Sequence, residues 1–206
     1  MFSEYSLDYL LVGLYHPSMS NQSTRDLILD SAQSLAQARG FNAFSYADIA
    51  VELGVRKASI HYHFPSKQDL EAELLERYRL QFVSALGSIE QSTDGSVERL
   101  ERYADLYAGT LKNSRICLAG MMASDIGALP VQLAPALSLF FDEQINWLAK
   151  VLGKGKSNGE LSFSDSAKSQ ASALLAALQG GLLIANATGD NALFSRMCKT
   201  VISKLQ

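Results

Sequence analysis

FSYADIAVELGVRKASIHYHFPSK, residues 44–67, reads as two short helices joined by one tight turn, and the rest of the chain supports or controls it. Ser45 followed by Asp48 is a capping box, so a helix starts at Tyr46 and puts Ile49, Ala50 and Leu53 on one face. Gly54 stops it. Val55 would pack into the angle between the helices, and a second helix of about two turns runs from Lys57 to His63 before Pro65 ends it.

The polar side of the second helix carries Lys57, Ser59, His61, Tyr62 and His63, with Arg56 just before it, and no acidic residue stands between Leu53 and Gln68. These side chains suit phosphates and base edges, which is what a helix-turn-helix meeting DNA requires. Ser66 with Asp69 forms another capping box and puts Lys67 at a helix N-terminus, where backbone N–H groups favour an anion such as a DNA phosphate.

The run IAVELGVRKASIHYHFPSKQDL resembles the DNA-binding signature of the TetR family of bacterial transcription regulators, over roughly residues 22–82. It departs from that pattern at His61, where the family usually has Tyr. The resemblance implies an all-α fold of about nine helices: an N-terminal three-helix DNA-binding domain (22–82), then a helical effector-binding and dimerisation domain (83–206). The DNA-facing set is then Thr24, Ser45, Tyr46, Arg56, Lys57, Ala58, Ser59, His61, Tyr62, His63 and Lys67. For Thr24, at a helix start marked by Ser23 and Asp26, a cap that serves only helix stability is the competing reading.

The 206 residues can bury a sizeable core, and a formal charge of −3 with a pI near 5.6 excludes nucleic-acid binding by bulk charge. Any DNA contact must come from a local patch, and the stretch around Lys57 supplies one. Cys117 and Cys198 form neither a disulfide framework nor a zinc spacing, which suits a reducing cytoplasm; no metal or cofactor is expected. Residues 1–21 read as an extension, either disordered or an over-called start. Met19 opens an ordinary start for such a regulator, so the first 18 residues suggest an over-called start codon, and their apolar run is too short for a membrane span.

Leu70, Leu74, Tyr78, Phe82, Leu86 and Ile89 line one face of a long helix that joins the head to the rest. Beyond the polar break at residues 91–96 every strong period is helical. Gly153-Lys154-Gly155-Lys156-Ser157 lacks the glycine and the strand of a phosphate loop and reads as a helix-ending loop. The helix from Asp165 to Thr188 puts Ala171, Leu174, Leu178, Gly181, Leu182 and Ala185 on one side, which lets another helix approach closely. With the last helix, Ala192–Leu205, this makes either a homodimer interface, which the resemblance also implies, or internal core.

The function expected from these features is a dimeric, ligand-released repressor that reads an inverted-repeat operator. In the mechanism the resemblance implies, an effector among the C-terminal helices shifts the long helix after the head and changes the spacing of the two DNA-reading helices. Tyr103, Tyr107, Cys117, Met121, Met122, Phe140 and Trp147 are the effector-binding candidates, or plain core, and the lack of Lys, Arg or His among them favours a neutral or cationic hydrophobic effector. Cys117-Leu118 is similar to the start of the effector-facing helix in a TetR subgroup, some of whose members sense electrophiles or oxidants through that thiol. Ile116 replaces the glycine common before it there. A small buried hydrophobe is the competing reading for Cys117. An all-α enzyme or small-molecule carrier is the remote alternative, because the C-terminal half has no His and no nucleophile–base partner set.

Overall fold

Ser23, Ser66 and Ser166 each precede a helix in extended backbone, and each hydroxyl accepts the N–H three residues on, at 3.1, 3.2 and 3.1 Å. These bonds satisfy donors that a first helical turn leaves without partners. At Ser45 the same box is closed by Asp48, whose carboxylate accepts from the Ser45 N–H and hydroxyl, both at 2.7 Å.

The computed structural model describes residues 22–111, 114–127 and 129–206; the expected extension over residues 1–21 lies outside the described residues. Among the described residues there are nine α-helices and no strands: α1 Thr24–Arg39, α2 Tyr46–Leu53, α3 Lys57–His63, α4 Lys67–Ser92, α5 Ser96–Leu111, α6 Leu118–Ser124, α7 Ala134–Ser157, α8 Ala167–Thr188 and α9 Asn191–Ser203. In the head, Ile28 of α1, Ile49 of α2, Ile60 of α3 and Leu70 of α4 are all fully buried. Gly54 takes the left-handed conformation (φ 65°), which lets the Val55 N–H reach Ala50 O at 3.0 Å and sets the turn between α2 and α3. The 26 residues of α4 span about 39 Å, so it packs on α1 in the head and on α5, α6 and α7 in the body. Arg77 ties α4 to α1 through Asp30 (2.7 Å) and Gln33 (3.0 Å).

One expectation about local structure changes. Residues 153–157 form the last turn of α7 rather than a loop, because Gly155 is where α7 meets its neighbours: a Cβ there would lie 2.5 Å from Leu161 Cδ1 and 2.8 Å from Ser96 Cβ. A 3₁₀ turn at Val131–Leu133 delays α7 to Ala134, and Pro135 falls in its first turn, where no helical N–H is needed.

The expected dimer face is corrected. Ala171, Leu174, Leu178, Gly181, Leu182 and Ala185 are all buried inside the chain, where α8 packs on α5, α7 and α9. Gly181 does permit a close approach, but of α9 in the same chain: a Cβ there would lie 1.8 Å from Met197 Cε. The outward stripe of α8 is Ala173, Ala176, Gly180, Leu183, Ile184 and Ala187. This helix is long and apolar enough to cross a membrane, with a mean hydropathy of 1.4, because both of its stripes are apolar and only one is spent on the core.

Candidate nucleic-acid interface and interior site

α3 turns Ile60 into the head core and leaves Arg56, Lys57, Ala58, His61 and Tyr62 exposed, with Ser59 and His63 half-buried. Tyr62 is 83% exposed, with its ring edge-on to that of His63 at 5.2 Å. The His61 ring packs edge-on against Tyr46 at 4.8 Å, and its Nδ1 lies 3.4 Å from Pro65 O, which leaves Nε2 for another partner. Thr24 and Ser45 are exposed at the starts of α1 and α2. The patch is therefore cationic, aromatic and free of acid along α3, on an otherwise acidic chain.

Two expected contacts are drawn inward instead. Tyr46 is buried; its hydroxyl lies 3.0 Å from Phe64 O and 2.5 Å from Ser66 O, so it fastens the carbonyls that follow α3 rather than facing a phosphate. The Lys67 ammonium donates to Phe41 O, and to Phe44 O at 2.7 Å, and sits 4.4 Å over the Phe44 ring. Its burial lowers its pKa, with Glu71 and Asp48 opposing. Lys67 thus clamps the 3₁₀ turn at Phe41–Ala43 to the start of α4. Lys67→Ala should cost about 2 kcal/mol, as expected for hydrogen bonds to a charged group, and lower Tm by about 4–8 °C, read by thermal unfolding without DNA.

Burial, and then the charges of Asp69 and Glu71, push the Tyr46 hydroxyl up from 10.0 to about 12. The folded value lies above the unfolded one, so this contribution is complete below pH 10 and is lost as pH rises from 10 through about 12. Stability measured in urea should therefore fall less steeply over that window for Tyr46→Phe than for the wild-type chain, since the other buried tyrosines act alike in both.

Inside the body, Tyr103 and Tyr107 on α5 and Gln144 on α7 meet: both phenols donate to Gln144 Oε1, at 2.5 and 2.6 Å. Gln179 of α8 donates to the Tyr107 hydroxyl at 3.3 Å. Phe140 packs edge-on to Phe82 at 5.3 Å, and Trp147 stacks on Tyr103 at 5.5 Å. Four of the effector candidates, Tyr103, Tyr107, Phe140 and Trp147, thus converge. Gln144 and Gln179 escaped the sequence reading; the available signal was an amide at the apolar spacing Phe140, Gln144, Trp147.

The other candidates lie elsewhere or are closed. Met121 is half-exposed and sets its Cε against Gly40 at the end of α1, under the head, while Met122 is fully buried core. Cys117 is buried, 3.7 Å from the Tyr78 hydroxyl. Burial pushes its thiol up, and the hydrogen bonds from Gln179, Gly120 and Tyr78 only partly oppose this. Arg115 does not activate it: its guanidinium donates to Ser34 of α1 at 2.6 Å. A thiol so placed stays protonated and shielded, so the electrophile-sensing alternative is not favoured.

A tight-turned helix pair with a cationic, acid-free outer face, carried by a long helix into an all-α body, defines a helix-turn-helix DNA-binding protein. The profile of bacterial regulatory proteins of the tetR family matches residues 28–74. The HTH-type transcriptional repressor BepR of Brucella suis is 30% identical over 203 residues, covering 89% of this chain and 92% of that one. A TetR-family transcriptional regulator from Agrobacterium tumefaciens superposes with a TM-score of 0.85 at 32% identity, over 88% of this chain and 97% of that one. One from Legionella pneumophila gives 0.82, also at 32% identity, over 91% and 100%. The chain belongs to the TetR family and is a DNA-binding regulator of transcription.

Proposed function

We propose that the protein is a cytoplasmic, homodimeric repressor that binds an inverted-repeat operator and releases it when a small hydrophobic effector occupies the body. The observation that carries this reading is the exposed, acid-free face of α3. Arg56, Lys57, Ser59, His61, Tyr62 and His63 read the major groove or hold its phosphates, Ala58 lets the helix approach, and Thr24 and Ser45 meet the flanking backbone. Residues 22–82 form the DNA-binding unit and 83–206 the effector and dimer unit. The two-fold contact is made by the outward stripe of α8 with α9 of each subunit, a second apolar face that a soluble chain has reason to cover.

The effector site is the interior around Tyr103, Tyr107, Phe140 and Trp147. A route from it to the head is supported by the segment between α5 and α6: Ile116 donates its N–H to Gln37 O of α1 at 3.3 Å, and the Gln37 amide donates to Ile116 O at 3.1 Å. An effector that favours one arrangement of these helices shifts the population of head spacings. The reading is tested by in vitro transcription from the promoter upstream of the protein's own gene. Adding the protein should silence it; transcription unchanged at micromolar protein would reject the repressor.

A further inference from the structure

The interior of the body holds a polar cluster that contains no charge. Gln144 Oε1 already accepts two phenol protons, at 2.5 and 2.6 Å, and Gln144 Nε2 donates to Phe140 O at 3.4 Å. Trp147, less than one turn beyond Gln144, stacks on Tyr103 with ring planes 21° apart, and its Nε1–H is buried without an acceptor among the described residues. A buried indole N–H normally finds a partner, and an orphaned one is costly. The group on offer here is therefore a donor.

The walls are flat. Tyr78 stacks on Phe140 at 5.6 Å, and Phe82 meets Tyr103, Tyr107 and Phe140 at 5.3–6.3 Å. Rings at these distances are already in contact with one another, and once parted they would offer a planar aromatic guest the same offset and edge contacts. The polar groups of this cluster are hydroxyls, amides and an indole, so an anionic guest would be buried with no cation to pair it, which is prohibitive, while a cation could lie against the rings but would leave the Trp147 N–H without an acceptor.

We infer that the interior takes a neutral, planar aromatic compound bearing a carbonyl oxygen, which the Trp147 N–H and one tyrosine hydroxyl hold. One phenol can turn from Gln144 to the guest while the other keeps the amide oxygen satisfied. Because Tyr103 and Trp147 are in contact, the guest enters by separating their rings, which stand on α5 and α7. This rests on the effector-responsive reading and gives that effector a chemical class.

Trp147 is the only tryptophan in the chain, so full-length protein labelled with 5-fluorotryptophan gives one ¹⁹F resonance from the site itself. It is titrated with 2-acetylnaphthalene, with 2-ethylnaphthalene of the same shape but no acceptor, with 2-naphthoate, and with (2-naphthylmethyl)trimethylammonium. The ketone should move the resonance saturably and bind about tenfold more tightly than the hydrocarbon, one hydrogen bond's worth, and more tightly than either ion. By calorimetry, Trp147→Phe should erase most of the ketone's advantage and leave hydrocarbon binding in place.

Equal affinity for ketone and hydrocarbon would mean that the N–H is satisfied by water, and would overturn the inference. Preference for either ion, or a resonance unmoved by all four probes, would overturn it as well. Operator binding is measured by mobility shift on the same sample. Protein that binds operator but not the ketone sinks this inference alone, whereas protein that binds no operator sinks the regulator reading.

Discussion

Gly180→Arg should turn the dimer into a folded monomer and cut operator affinity by more than about a hundredfold, because a monomer loses its second half-site. Gly180 lies on the outward stripe of α8, and a Cβ there meets nothing within 4 Å, so a side chain can leave the helix at this point without displacing a neighbour. Two arginines would face each other across the two-fold axis, in the place of an apolar contact that includes Leu183 and Ile184, 48% and 55% exposed in the single chain. Neighbouring Gly181→Arg should behave differently. Its side chain would have to displace Met197 of α9, so it should unfold the body rather than split a dimer. Light scattering gives the mass and circular dichroism the fold; a Gly180→Arg protein that keeps dimer mass would remove α8 from the interface.

Lys57→Ala combined with Tyr62→Ala should weaken specific operator binding severely while moving Tm by no more than about 2–4 °C, the usual outcome for two exposed substitutions away from caps and ion pairs. Both side chains are exposed on α3, and neither takes part in the head core. Removing one side chain that holds a base or a phosphate costs about 1–3 kcal/mol, so the pair should cost about a hundredfold or more. The contrast with Lys67→Ala is diagnostic, since that variant should lose stability first and affinity as a consequence. A fluorescence-anisotropy titration at fixed salt, with thermal unfolding in parallel, separates the two. An unaltered affinity in the double variant would move DNA recognition off α3.

The head was legible in the sequence because its signals are local. Capping pairs, Gly54 and Pro65 act within a few residues of themselves, and the turn, α2, α3 and the start of α4 follow from them. Lys67 and Tyr46 were not legible as clamps. Their partners, the carbonyls of Phe41, Phe44, Phe64 and Ser66, come within reach only after the chain has folded around the 3₁₀ turn. α8 defeats periodicity for another reason: both of its stripes are apolar, so the 3.6-residue period finds two faces and does not say which one looks inward. The larger leucines at 174, 178 and 182 took the core, and the smaller stripe was left outside. In the body, the aromatic spacing on α5 and α7 marked four residues that do converge, while the glutamines that organise them look like ordinary polar positions until three helices are brought together.

The most direct test of a dimeric operator reader is a footprint of the purified protein on DNA upstream of its own gene. We expect two protected half-sites on one face of the duplex, related by a two-fold axis and centred about one helical turn, or a multiple of it, apart. Protection should vanish together at both half-sites with Gly180→Arg and with the Lys57, Tyr62 double variant. A protected region without two-fold symmetry, or one that survives the loss of Lys57 and Tyr62, would contradict a dimer that reads DNA through α3.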